Sequence, residues 1–453
     1  MFHLSNPDLK ARSPWATLRN VSSVEISPIE KQEVNGEIRI PGSKSFTNRA
    51  LIIAALAKGP STLTGILKSD DSYWCIDALN KLGVKTEVTD DVVTVQGCHS
   101  KWPNEQANLY IGAAGTIARF LPGALAIAKN GNWILEASNR MSERPVEPLV
   151  NAINDLGGSI EYLNTEGFFP LQVKGGGLKG GPVSISGKVS SQFLSGLLLA
   201  SPYSKTDVTV TTPDYIVQHA YVKITLDLME KFGVKASYSD DLTKIIIPST
   251  EYLGRNLQLE ADASTASYFL ALAAITNGRI KITNLNVKTN QPDIKMIDVF
   301  ENMGCKVTRG EKYIELIGTP NLKGGFEISM KEMSDQTLTL ASLAVFASGP
   351  ITMRGVEHIR HHESDRISAI CTELTKLGIK VEEYEDGLTV YPGTPHPATL
   401  ESYDDHRVAM SLALIGTKVP GIVIKDPGCV SKTCPSYFDL LSHVGVNVQY
   451  FDK

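Results

Sequence analysis

Leu374-Thr375-Lys376-Leu377-Gly378 is the stretch that decides how this chain folds. Two leucines three apart, followed at once by glycine, describe the last turn of an amphipathic helix closed by a left-handed residue. The arrangement recurs six times, at Gly83, Gly157, Gly233, Gly304, Gly378 and Gly445. In each case the residues one and four positions earlier are apolar: Leu82 and Leu79, Leu156 and Ile153, Phe232 and Met229, Met303 and Phe300, Leu377 and Leu374, Val444 and Leu441. The glycines stand 67 to 76 residues apart. That period is too long for the familiar solenoids and long enough for a small α/β subdomain.

Outward from each glycine the same patterns return. An unusually apolar helix is expected at residues 49–56, 117–128, 192–200, 267–275, 338–347 and 407–415, and helices apolar nearly all round are buried ones. A β-branched stretch follows each, at 61–66, 133–138, 208–212, 280–285, 351–356 and 422–426. Strand pairs follow the glycines, as in 84–95 around Asp90-Asp91 and 379–391 around Asp386-Gly387, where alternation is broken by turn residues. The unit is β-α-β-α-β-β. One unit is too small to bury its apolar helix, whereas three with those helices inward make a domain of about 220 residues with a single core. The expected fold is therefore α/β, with two domains each of three β-α-β-α-β-β repeats. Crossings near 41–43 and 259–262 give a first domain of residues 1–42 plus 261–453 and a second of residues 43–260. Residues 37–40 read as a strand that precedes the first repeat or completes the last. Residues 1–25 read as an exposed tail.

Composition narrows the function. The net charge of −5 over 453 residues argues against a general nucleic-acid binder. Six scattered cysteines with no Cys-x-x-Cys pair fit a reducing compartment, so a cytoplasmic protein is expected. No apolar run reaches membrane-spanning length, and residues 1–25 lack the apolar core of a signal peptide.

The polar residues just before the buried helices are the informative ones. They read Lys44-Ser45…Asn48-Arg49, Gly115-Thr116…Arg119, Ser190-Ser191-Gln192, Asp262…Ser264-Thr265, Ser334-Asp335-Gln336 and Asp404-Asp405-His406-Arg407. Capping accounts for the serines, threonines and aspartates. It does not account for Lys44, Arg49, Arg119 and Arg407, because the macrodipole disfavours cations at a helix N-terminus unless an anion sits there. With Arg140, Arg144, Arg360, Arg366 and Lys432 in polar loops, the grouping points to a cleft for phosphates and carboxylates. Two phosphate motifs fail. Gly175–Gly180 leads into a strand and not a helix, and the Pro41-Gly42-Ser43-Lys44-Ser45 stretch lacks the glycine spacing of a nucleotide-binding loop. Within residues 358–366, three histidines and two carboxylates invite a metal reading, but Arg360 and Arg366 in the same run oppose a divalent cation.

These residues in this order resemble the 5-enolpyruvylshikimate-3-phosphate synthase family over residues 30–450. The motifs are Pro41-Gly42-Ser43-Lys44-Ser45…Asn48-Arg49, Ala114-Gly115-Thr116…Arg119, Arg140-Met141…Glu143-Arg144-Pro145, Ser190-Ser191-Gln192-Phe193, Asp262-Ala263-Ser264…Ala266-Ser267-Tyr268-Phe269, Glu363-Ser364-Asp365-Arg366, Asp404-Asp405-His406-Arg407 and Lys432-Thr433. The resemblance implies the enolpyruvyl transferase fold with its active site in the interdomain cleft. It implies transfer of the enolpyruvyl group of phosphoenolpyruvate to the 5-hydroxyl of shikimate 3-phosphate, with release of phosphate, in the shikimate pathway that supplies chorismate and the aromatic amino acids.

By the same resemblance, Lys44, Asp335 and Glu363 are the catalytic groups. Shikimate 3-phosphate falls to Lys44, Ser45, Arg49, Ser190, Ser191, Gln192, Gln218, Tyr221, Asp335, His358 and His362. Phosphoenolpyruvate falls to Lys44, Gly115, Arg144, Gln192, Arg366, Arg407 and Lys432. Neither cofactor nor metal is implied, and the expected partners are the two small-molecule substrates, with no nucleic acid or membrane, in a monomer. The chain departs from the family pattern at Ala113 (usually asparagine), Phe120 (often proline), Gln218 (usually serine), and His358 and His362 (commonly asparagine and lysine). The sister family acting on UDP-N-acetylglucosamine uses a cysteine near the 140–144 loop, and this chain has none between Cys98 and Cys305. A paralogue with another phosphorylated acceptor and a non-catalytic binding protein are the remaining rivals.

Overall fold

The computed structural model describes residues 7–28 and 34–452. All six marker glycines have left-handed backbones, with φ of 86°, 92°, 95°, 100°, 79° and 97° in chain order. At each, the following amide reaches back past the glycine. Ile379 N donates to Leu374 O at 3.0 Å and Gly378 N to Thr375 O at 3.0 Å, the paired bonds that satisfy the last carbonyls of a helix.

Six buried helices stand where the apolar runs lie: α1 (Lys44–Leu56), α2 (Gly115–Ala126), α3 (Ser191–Ala200), α4 (Ala263–Thr276), α5 (Thr337–Ala344) and α6 (His406–Gly416). The described residues also form six four-stranded sheets. A typical one runs Phe326–Ser329, Ile351–Arg354, Gly387–Val390, Val381–Tyr384, with the first pair parallel and the others antiparallel. No helix among the described residues is long and apolar enough to cross a membrane.

The chain divides into two compact units, residues 1–41 with 261–453 and residues 42–260. In the second unit α1, α2 and α3 form the centre. Gly196 of α3 allows close approach to α2, since a Cβ there would stand 2.0 Å from Arg119 O. In the first unit α4, α5 and α6 pack together inside one apolar cluster that runs from Val24 to Val446.

Three strand assignments differ from the sequence reading. Asn35–Ile38 is a strand that precedes the first repeat in the chain, but it pairs in parallel with Arg279–Ile282, in the sheet of the fourth repeat. In return Asn256–Gln258 pairs in parallel with Lys58–Thr64 of the first repeat. This exchange lets each unit finish its own sheets although the chain crosses between units twice. Among the described residues the sixth repeat has one strand after its glycine, Asn447–Asp452. The missing position is filled by Val21–Ser27, antiparallel to both Ile422–Lys425 and Asn447–Asp452. Of the expected exposed tail, residues 7–25 are packed into the fold, with Val24 fully buried and Arg12 buried, while residues 1–6 lie outside the described residues.

Candidate active site

In the unit of residues 42–260, the N-terminal turns of α1 to α3 carry the polar side chains. Lys44 opens α1, and its Nζ lies 3.5 Å from the buried Asp71. Arg49, one turn on, is 1% exposed. It donates from Nε to Thr225 Oγ1 (2.7 Å), from Nη1 to Ser45 O (3.0 Å) and from Nη2 to Ser195 Oγ (3.2 Å). Its guanidinium also lies over the rings of Phe120 at 5.0 Å and Tyr221 at 5.8 Å. None of these partners is a carboxylate, and burial lowers its pKa to about 10 against a small opposing contribution from Tyr221.

A second group forms around Gly115 at the start of α2. A Cβ there would stand 3.1 Å from Arg144 Nη1 and 3.5 Å from both Arg119 Nη1 and Gln192 Oε1. Glycine keeps that space open. Gln192 Oε1 is buried without a hydrogen-bond partner among the described residues, which marks it as aimed at something else. Ser190 caps α3 by accepting from Gln192 N at 3.2 Å, beside the buried Ser191. Gln218 has a left-handed backbone (φ 50°) just ahead of the helix Ala220–Lys231, which carries Tyr221 in its first turn. The Gly175–Gly180 stretch leads into the strand Gly181–Ser184, so no helix N-terminus follows it.

The unit of residues 1–41 and 261–453 gathers opposite charges. Arg366 is also 1% exposed, yet it is surrounded by acids. Its Nε and Nη2 reach Asp405 (2.8 and 3.2 Å), Nη1 reaches Asp335 (3.0 Å), and Nη2 reaches Glu363 (2.8 Å). Burial works against that charge, but Asp405, Glu363 and Asp335 together hold the Arg366 pKa above its ordinary value. Arg407 donates to Asp335 at 2.8 Å, and Lys432 Nζ lies 2.9 Å from Glu363. Asp335 and Glu363 are therefore held at a fixed spacing by one planar guanidinium, and each keeps a second cation.

The two histidines flank this cluster. His362 Nδ1 lies 3.0 Å from Arg366 Nη1. His358 is buried, bonds Ser334 Oγ at 2.8 Å, and has its pKa lowered chiefly by that burial, with Asp335 and Glu357 opposing. Among the described residues, no group of three His, Cys, Asp or Glu side chains is placed to share a metal ion.

Two residues of this region lie beyond the sequence reading of the site. Asp405 is fully buried and does two jobs: it caps α6 through Arg407 N (2.9 Å) and grips Arg366. Its capping role was visible in the sequence; its grip on a distant arginine had no local signal. Asp293 is 1% exposed, accepts from Ser264 Oγ and Gln336 Nε2, and leaves Oδ1 without a hydrogen-bond partner among the described residues. Its pKa is pushed up, first by burial and then by the charge of Asp335.

Comparison with known proteins follows the same lines. The profile of the EPSP synthase family (3-phosphoshikimate 1-carboxyvinyltransferase) matches residues 29–441. The chain is 59% identical to 3-phosphoshikimate 1-carboxyvinyltransferase 2 of Halalkalibacterium halodurans, over 98% of this chain and 99% of that one. It is 42% identical to 3-phosphoshikimate 1-carboxyvinyltransferase of Trichormus variabilis, over 91% of this chain and 96% of that protein. Among solved structures, EPSP synthase from Acinetobacter baumannii superposes with a TM-score of 0.81 at 25% identity, covering 95% of this chain and 100% of that one.

Proposed function

The chain belongs to the EPSP synthase family, and on that premise we propose how its residues divide the transfer it catalyses. The reaction moves the enolpyruvyl group of phosphoenolpyruvate to the 5-hydroxyl of shikimate 3-phosphate and releases phosphate, within the shikimate pathway. The hydroxyl oxygen attacks C2 of phosphoenolpyruvate and gives up its proton while the methylene C3 takes one. The resulting tetrahedral phosphate ketal then loses phosphate, and loss of a proton from C3 restores the double bond. Both stages need one group to accept a proton and another to supply it.

Asp335 and Glu363 are that pair, and the observation that carries the assignment is their shared anchorage on Arg366. Two carboxylates held by one fork, with Arg407 and Lys432 on their outer oxygens, are ionised together only while those cations serve them. Phosphoenolpyruvate brings a phosphate and a carboxylate that compete for Arg366, Arg407 and Lys432. Losing part of that stabilisation raises the affinity of one carboxylate for a proton. The cations so recruited neutralise the departing phosphate.

Lys44, Gly115, Arg144 and Gln192 are also assigned to phosphoenolpyruvate, Lys44 assisting the proton transfers and the open space at Gly115 admitting phosphoenolpyruvate. Shikimate 3-phosphate is assigned to Lys44, Ser45, Arg49, Ser190, Ser191, Gln192, Gln218 and Tyr221, with Asp335, His358 and His362. Within this set Arg49 lies beneath Ser45 and Tyr221, so it acts by its charge and by holding the Ser45 backbone. His362, beside Arg366, is a weaker cation than the lysine common in the family and tunes affinity with pH. The reading that the protein works as a cytoplasmic monomer draws support from its six free thiols and from the completion of every described sheet within one chain.

The test is phosphate release from phosphoenolpyruvate with shikimate 3-phosphate, without it, and with UDP-N-acetylglucosamine as control acceptor. Release is expected only with shikimate 3-phosphate. In the same assay Glu363→Gln is expected to lower kcat by about 10²–10⁴ with the fold retained, and near-normal turnover would remove Glu363 from the pair.

A further inference from the structure

Arg12 precedes the first repeat and belongs to none of the motifs, yet its side chain is 4% exposed. Its Nη2 donates to Asp404 Oδ1 at 3.1 Å and also to Asp426 Oδ2. The segment around it is fixed by the same neighbours: Asp8 N donates to Asp404 Oδ2 (3.2 Å), and Arg19 Nη2 donates to Arg12 O (3.0 Å). Gly428 makes room for the guanidinium, because a Cβ there would stand 2.5 Å from Arg12 Nη1.

The two acids lie on the two loops that lead to the phosphoenolpyruvate cations. Asp404 directly precedes Asp405, which caps α6 and grips Arg366, and Arg407 follows two residues later. Asp426 opens the short helical turn Pro427–Lys432, whose last residue reaches Glu363. Both loops are bent at non-glycine residues in the left-handed region: Tyr403 (φ 57°), Asp404 (φ 51°) and Asp426 (φ 49°). Such backbones persist only where surroundings over-determine them. Here one buried guanidinium draws the two bends together. Without it two half-buried carboxylates would face each other, and repulsion would open both loops.

We propose that Arg12 is a positioning residue for catalysis: it clamps the 403–405 and 426–428 bends together and so holds Arg407 and Lys432 in register for phosphoenolpyruvate. This rests on the assignment of those two cations to phosphoenolpyruvate. The loss of Arg12 should therefore be selective between substrates, whereas a merely structural residue would lower the amount of active enzyme and leave both KM values alone.

The experiment is steady-state kinetics of the full chain with each substrate varied, well below the melting transition, for Arg12→Met, Asp426→Asn and Arg407→Gln. Arg12→Met is expected to raise the KM for phosphoenolpyruvate about tenfold or more while that for shikimate 3-phosphate stays within about twofold. Asp426→Asn, which leaves Arg12 bonded to Asp404 and strands no charge, is expected to show the same selective rise at about threefold, and it carries the test if Arg12→Met fails to fold. Unchanged phosphoenolpyruvate KM in the Arg12 and Asp426 variants beside a raised one in Arg407→Gln overturns the inference alone. No rise in any of the three overturns the assignment of Arg407 and the inference with it. Equal rises in both KM values also contradict the clamp.

Discussion

Arg49 and Arg366 are both 1% exposed, one in each unit, and their surroundings are opposite. Arg366 is bound by Asp335, Glu363 and Asp405. Arg49 is bound by two hydroxyls and a carbonyl and stacked on aromatic rings. Burial costs each cation its hydration, and only Arg366 recovers the loss from opposite charge, so its pKa rises while that of Arg49 falls to about 10. Buried cations near helix N-termini are thus held in two ways. Arg366 is neutralised from within and fixes the positions of Asp335 and Glu363. Arg49 has no carboxylate partner among the described residues.

The largest effect is expected where the internal balance is broken. Arg366→Met leaves Asp335, Glu363 and Asp405 short of a shared cation and should cost about 3–5 kcal/mol of stability, measured by chemical denaturation, along with nearly all turnover. Retention of wild-type stability would show that the three acids do not need it. An intermediate effect is expected at Asp293, the mirror case, a buried acid whose hydrogen bonds among the described residues come from neutral groups. Its folded pKa is raised, so its contribution to stability is full below the unfolded value and is lost as pH rises through the raised one. Asp293→Asn escapes that loss. The melting temperature of the variant relative to wild type should climb between pH 5 and pH 8, by the equivalent of about 1 kcal/mol or more, and a flat difference would contradict the raised pKa.

The smallest effect on stability is expected for Arg49→Met. Thr225 Oγ1 keeps Ser195 Oγ (2.9 Å) and Tyr221 O (2.9 Å) as partners, and no carboxylate is stranded. Thermal unfolding should move by less than about 1 kcal/mol. A large loss would mean that Arg49 is a structural cation like Arg366.

Much of the fold was legible because its markers are local. A helix-period pair of apolar residues ahead of a glycine forces a C-cap wherever it falls, and the six buried helices announced themselves by lacking a polar face. The strand partners were not legible. Val21–Ser27, Asn35–Ile38 and Asn256–Gln258 pair with strands far away in sequence, and nothing in a short β-rich stretch names its neighbour. At the site, Lys44, Arg49, Arg119 and Arg407 stood out because cations at helix N-termini violate the macrodipole rule. Asp335 and Glu363 were identified only by family resemblance, since carboxylates at helix starts look like caps. Asp405 hid for that reason. Arg12 and Asp293 gave no signal, because a single charge in an irregular segment acquires meaning only from what is folded against it.

The most direct test of the contrast is calorimetric titration of shikimate 3-phosphate into wild-type protein and Arg49→Met. Affinity is expected to fall about tenfold or more in a variant whose thermal unfolding moves by less than about 1 kcal/mol. Undiminished affinity for shikimate 3-phosphate would contradict the claim that Arg49 keeps its uncompensated charge for that ligand.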